Sequence, residues 1–345
     1  MLNGLIFLFC SALSIFVIIV QENCKRAVKI TFPSVIFFLI PMIIFSLSRI
    51  LWAEISGLAD YHNYMLFFNH ADKVIENRFE PAAKVIRSIS PAFWIFLLIH
   101  SLFSISLKLY AIKKIAVFPL LSLITYLSTS FALHDIVQIR ISCAIAIFLC
   151  AVCFLVEKKY AIYIFLVFIA CCFHKSSFAF FVFLFFRKNS FSQKFWIFAL
   201  ALVYALAFLN INLTDLFAFI LGKDSYYYLS ILDVMNQNLD LFNMNQLLNI
   251  FIFLLLSINS KKFSAIKSFP LLMKIFFLSI AAYPLFSSVP IIASRFSEML
   301  RPSIIFLLPL TVNIFRKKWI GYIFFLFMCF ALSFLNNFYY SLVSI

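Results

Sequence analysis

Apolar stretches of nearly bilayer-crossing length follow one another along almost the whole chain, and short basic loops break them at every second junction. A helix needs about 20 mostly apolar residues to cross a hydrocarbon core of about 30 Å. Candidate spans fall at residues 2–20, 33–52, 92–110, 115–133, 138–156, 160–173, 176–187, 195–210, 246–259, 270–288, 302–315 and 319–338. The pattern predicts an all-α polytopic membrane protein with about 12 transmembrane helices (range of about 10–13), the whole of residues 1–345 forming one integral membrane domain. The sixth and seventh spans are short for a full crossing. The first stretch has no basic segment before it and no small-residue cleavage site, so it reads as a retained helix.

The basic residues fix an orientation. Lys25, Arg26 and Lys29 follow the first span; Lys108, Lys113 and Lys114 the third; Lys158 and Lys159 the fifth. Arg187, Lys188 and Lys194 follow the seventh, Lys261, Lys262 and Lys267 the ninth, and Arg316, Lys317 and Lys318 the eleventh. These loops hold most of the 28 lysines and arginines, with Glu22 and Glu157 as their acids. Short loops rich in Lys and Arg stay on the cytoplasmic side. Both termini are then expected outside, with larger outer loops near 53–91 and 211–245.

The net charge of +15 is accounted for by topology and calls for no nucleic acid. With 65% hydrophobic residues there is no room for a soluble domain in the loops, and four glycines rule out a glycine-rich nucleotide cradle. The cysteines lie mostly in apolar runs; Cys150 and Cys153 have the CxxC spacing, but within a membrane helix, where apolar packing is the expected role.

Polar residues of unusual kind gather on the outer side. Arg140, Arg295 and Arg301 stand at the outer ends of spans, against the charge gradient. Arginine near lipid is costly unless paired or hydrated, and its planar fork suits phosphate. Asp135 is expected to pair with Arg140 or cap the following helix, while His134 and Gln138 are four apart and would share a helical face. Arg295, Glu298 and Arg301 climb in steps of three, as two cations with an acid to orient one of them. His174, followed by Lys175, is a candidate acid or base. Asp60, Tyr61 and Tyr64 lie in an aromatic outer segment that suits sugar binding or the membrane surface, and Asp224 with Tyr226, Tyr227 and Tyr228 has the same character.

Taken in order, Asp60 with Tyr64, Glu80-Pro81, Gln138-Ile139-Arg140 with Ser142, Ala144 and Ala146, Phe173-His174-Lys175-Ser176-Ser177, and Ala293-Ser294-Arg295-Phe296 resemble the EpsG-type family of polysaccharide polymerases. That family is a branch of the Wzy polymerases of O-antigen (lipopolysaccharide) and capsule. The resemblance covers roughly residues 55–300. It departs at Ile141, where the family has Gln, and at Ser177, where it has Ala.

The resemblance implies a glycosyltransferase of the bacterial inner membrane, with its active site facing the periplasm. The enzyme would move the growing glycan from undecaprenyl pyrophosphate onto the next lipid-linked repeat unit, beside a flippase and a chain-length regulator. His174, Asp60, Arg140 and Arg295 are then the expected catalytic residues: the arginines hold the leaving pyrophosphate, and His174, or else Asp60, takes the acceptor proton. Tyr64, Glu80, His134, Asp135, Gln138, Lys175, Glu298 and Arg301 are the expected substrate-binding residues. No cofactor and no metal is expected, since the sequence has no DxD motif and no clustered carboxylate pair. Two other readings keep the same chemistry at a membrane face. A lipid-linked oligosaccharide flippase would leave repeat units facing the cytoplasm when deleted. An O-antigen ligase would leave no repeat attached to the lipid acceptor, whereas loss of a polymerase leaves one.

Overall fold

A computed structural model of the protein describes residues 42–43, 59–70, 79–186, 190–209, 211 and 239–336. The expected span 2–20, nearly all of 33–52, the basic residues Lys25, Arg26, Lys29, Arg187 and Lys188, and the tyrosines 226–228 lie outside them. The described residues are helical, without strands.

The chain divides into two compact units, residues 1–187 with 308–345, and residues 188–307. The first unit contains α1 (Ala59–Asn69), α2 (Pro81–Ile89), α3 (Phe93–Ile115), α4 (Pro119–Val137), α5 (Ile139–Val156), α6 (Tyr160–Phe173) and α7 (Lys175–Leu184, a tight 3-10 helix). Among the described residues, α3, α4 and α5 are long and apolar enough to cross a membrane; shorter apolar helices follow. The chain is a membrane protein on this evidence, with fewer full-length crossings in view than the hydropathy pattern predicts.

Proline opens several of these helices. Pro81 and Pro119 stand in the first turn of α2 and α4, where an amide N–H would have no helical partner anyway. The helix α5 is buried on nearly every side, as an all-round apolar helix must be. Its small residues let neighbours approach closely. The Cys143 thiol reaches the carbonyl of His100 (3.6 Å) and the Cys150 thiol that of Leu107 (3.3 Å). The same offset at both contacts means that α3 and α5 run parallel. The helix α6 packs against α5 and turns back at His174 into α7; the turn is held by Tyr163 donating to the carbonyl of Phe180 (2.6 Å) and by the stacked rings of Phe148 and Phe180 (3.9 Å).

Two ends of this unit follow. The starts of α3 and α5 define one end. At the other, Glu157 accepts from Lys114 (2.9 Å) and Lys159 (2.7 Å). Those hydrogen bonds, from Lys159 and then Lys114, pull the Glu157 carboxyl down to about 2. The two ends are separated by a helix of 23 residues, or about 35 Å.

Two boundaries differ from expectation. The span 115–133 was expected to end before an outer segment at His134–Arg140. Instead the helix continues, and residues Leu127–Val137 widen into a π-helix that ends in a hydrogen bond from Gln138 N to the carbonyl of Leu133 (2.9 Å). The wide repeat removes the helical face that His134 and Gln138 were expected to share. Lys108, taken as part of a basic loop, lies inside α3 and is fully buried. The expected span 302–315 is broken into short turns at Arg301–Ser303, Ile304–Leu307 and Leu308–Asn313, and the two units meet along the chain within it.

The second unit contains α8 (Gln193–Phe208), α9 (Met244–Ile258), α10 (Phe269–Leu285) and α11 (Pro290–Leu300). Buried Gln246 on α9 donates to the Tyr204 hydroxyl (2.8 Å) and to the carbonyl of Ile280 (2.7 Å), tying α8, α9 and α10 together. The helix α12 (Lys318–Phe334) belongs to the first unit. A Cβ on its Gly321 would collide with the backbone of Val312, so only glycine fits that close approach.

Candidate functional site

Arg140 is the second residue of α5, at the end of the first unit away from the basic loops. Its Nη1 donates to Oε2 of Glu80, the residue that starts α2. The expected Asp135 pairing does not occur. The guanidinium lies over the Phe79 ring at 4.3 Å and near the Tyr64 ring at 5.6 Å. A cation stacked on an aromatic face is held without consuming its in-plane donors. The Arg140 side chain keeps 23% exposure against 7% for Glu80, and its Nε is buried without a hydrogen-bond partner.

The other carboxylate oxygen of Glu80 faces His174 Nδ1 at 3.7 Å. His174 sits in extended backbone at the junction of α6 and α7. This end of the unit thus joins three residues far apart in sequence: Glu80 lies between an arginine and a histidine. The sequence marked all three as candidates but gave Glu80 only as a substrate-binding residue, without its pairing. Phe79 and Phe67 stack at 3.8 Å and, with Phe96 and His100, form an aromatic floor that continues into the membrane helix.

Tyr64 on α1 is buried, and burial pushes its phenol up, an effect that the nearby Arg140 guanidinium partly offsets. Asp60, one turn earlier, is half-buried and acts on Tyr64 electrostatically. Lys175 is exposed. Gln138 is buried with its Oε1 unpartnered at the entry to α5. His134 is buried within the π-helical part of α4.

Asp135 was expected at the substrate. It is fully buried instead, in an ion pair with Lys108 (2.7 Å) whose side chains have no exposure. Tyr126 donates to the same oxygen (2.6 Å), and Ser104 (2.6 Å) and Ser142 (2.7 Å) donate to the other. That set saturates the carboxylate, which explains why Asp135 is not available to Arg140. Ser104 and Tyr126 went unmarked by the sequence, which offered Lys108 only as a loop cation and Ser142 only as part of a motif. The one signal was a lysine within an apolar run.

In the second unit, Arg295 and Glu298 lie on α11, and Arg301 begins the following turn and is buried. Within the expected charged staircase, Arg295 Nη1 and Glu298 Oε2 are each buried without a hydrogen-bond partner. Glu298 and Arg301 act electrostatically on Tyr283 of α10. Ser279 of α10 donates to the carbonyl of Ser297 (2.8 Å), and Phe286, just after α10, stacks on Phe296 (5.4 Å), so α11 is held just after Arg295.

Helices long and apolar enough to cross a bilayer, with an arginine–carboxylate–histidine group at one end, define a membrane protein with a polar cluster at the end of its helices. The chain belongs to the EpsG family, whose model matches residues 34–344. No curated protein and no solved structure matches it. Family membership is consistent with a polysaccharide-polymerase-like, glycosyltransferase-like activity.

Proposed function

We propose that the chain polymerises a polysaccharide by moving the growing glycan from undecaprenyl pyrophosphate onto the next lipid-linked repeat unit, at the periplasmic face of a bacterial inner membrane. The observation that supports it best is Glu80 between Arg140 and His174 at the end of a membrane-crossing helix.

The chemistry needs a base, an anion holder and a dry site. The acceptor hydroxyl gives its proton to His174. Its oxygen bonds to the anomeric carbon of the donor as the bond from that carbon to the phosphate oxygen breaks. Pyrophosphate leaves as an anion, so its departure needs positive charge rather than a proton. Arg140 offers charge-assisted donors for it. Glu80, facing Nδ1, orients the imidazole and stabilises the imidazolium that forms. Asp60 is the second candidate for the base. In the other unit, the Arg295 fork is assigned to phosphate recognition. Tyr64 and neighbouring aromatic rings suit sugar contacts, and the apolar helices suit the polyprenyl tail. The reaction is metal-independent on this reading, so magnesium or manganese restoring activity lost to EDTA would count against it.

The test is chain length in cells. Arg140→Ala should reduce polysaccharide to single repeat units while the protein stays in the membrane at normal level. Full-length polymer from a stably expressed Arg140→Ala protein would end the proposal. A mutant with no repeat on the lipid acceptor would point to a ligase, and repeat units held on the cytoplasmic side would point to a flippase.

A further inference from the structure

The Lys108–Asp135 pair and its three hydroxyl partners form a second polar group, and one of its helices, α5, also carries Arg140. Each hydroxyl has one hydrogen. With Ser104 and Ser142 both donating to Asp135, Ser142 is left to accept from Lys108 Nζ (2.6 Å). Ser104 and Ser142 also lie 2.6 Å apart, so the five side chains are tied to one another as well as to the carboxylate. Lys108 reaches this point because a helical side chain leans toward the helix N-terminus, here to the level of Ser104.

Three helices meet in the network. Lys108 and Ser104 are on α3, Tyr126 and Asp135 on α4, and Ser142 on α5. Ser142 is two residues from Arg140. Asp135 stands in the last π-helical turn before the break at Gln138. Such wide turns are rare and recur at functional sites. Tightening this one to ordinary α-helix would rotate the chain that enters α5 and carry Arg140 away from Glu80. Buried ion pairs are seldom the most stable packing, since apolar residues of like size often do better. One retained among apolar helices calls for a reason of geometry.

We propose that Lys108 and Asp135 are positioning residues for Arg140: the pair pins the wide end of α4 to α3 and, through Ser142, sets the rotation of α5 that brings the guanidinium to Glu80. This rests on the reading of Arg140 given above.

The experiment uses the full chain in nanodiscs with its lipid-linked repeat unit, following elongation and thermal unfolding. Lys108→Met/Asp135→Leu removes both charges together. The expected result is a folded protein whose kcat is down about tenfold with KM little changed, and Lys108→Arg/Asp135→Glu restoring most of it. Arg140→Lys should cost about tenfold in the wild type and less than about threefold in the apolar-pair background, the non-additivity of coupled residues. A merely structural pair would give independent, multiplying losses, and that result overturns the proposal, as does wild-type kcat in the apolar pair. If the apolar pair does not fold, Ser142→Ala decides: lower kcat at unchanged melting temperature supports the inference, and wild-type kcat overturns it. If Arg140→Ala keeps full elongation, the reading of the site itself has failed. If Arg140→Ala is inactive and the apolar pair is not impaired, positioning alone has failed.

Discussion

The first unit contains two ion pairs of opposite character. Lys108–Asp135 is sealed, with five mutually satisfied side chains and no exposure. Glu80–Arg140 is part-open, with the arginine at 23% exposure and one nitrogen unpartnered. A charge that is completely enclosed can hold helices but cannot meet a substrate. A charge fixed by a carboxylate and by aromatic rings, with part of it still exposed, is held and still able to bind. The Arg295 segment of the second unit takes the open case further, since neither Arg295 Nη1 nor Glu298 Oε2 has a hydrogen-bond partner there.

The contrast breaks most visibly if the sealed pair tolerates single substitutions. Lys108→Met alone, or Asp135→Leu alone, strands a buried charge and should cost about 3–5 kcal/mol, read as loss of folded protein in a detergent melt. Glu80→Gln should instead cost about 1–2 kcal/mol of stability while elongation falls at least about tenfold, as expected when a base loses its orienting carboxylate. Equal destabilisation by the two substitutions would remove the distinction. Arg295→Ala should shorten the polymer on a gel; normal chain length would end the assignment of Arg295 to phosphate recognition. Tyr64→Phe keeps the ring under Arg140 and loses the hydroxyl, so about 0.5–1.5 kcal/mol is expected, with polymer still made.

The smallest effect belongs to the exposed pairing at the other end. The Glu157 carboxyl is held down at about 2 by Lys159 and Lys114. A depressed carboxyl stabilises the fold above its unfolded value, about 4.3, and loses that contribution as pH falls toward the folded value. Between pH 5 and 8 Glu157→Gln should show no pH-dependent difference from wild type; a difference there would mean that Glu157 titrates in that window and is not held down by its lysines.

Much of the site was legible because its residues are chemically out of place. Arg140 and Arg295 stand against the charge gradient, His174 ends an apolar run, and Glu80 precedes a helix-opening proline. Their pairing was not legible. The charge pattern puts residues 80, 140 and 174 on one side, but nothing in their spacing says that Glu80 lies between the other two. Asp135 was misassigned for the same reason: five residues before Arg140 it looked like a natural partner, until the π-helical turn directed it to Lys108. Lys108 looked like a loop cation because charge counting does not distinguish a lysine beside a span from one inside it.

The sequence by itself determined that the chain is helical and lies in a membrane, because apolar length and basic loops act through the bilayer, which needs no knowledge of neighbours. It also determined which residues carry unusual chemistry. The tertiary structure decided which of those charges are sealed and which stay open. Burial and pairing depend on the width of one turn in α4 and on the few ångströms between side chains on different helices, and neither is written in local spacing.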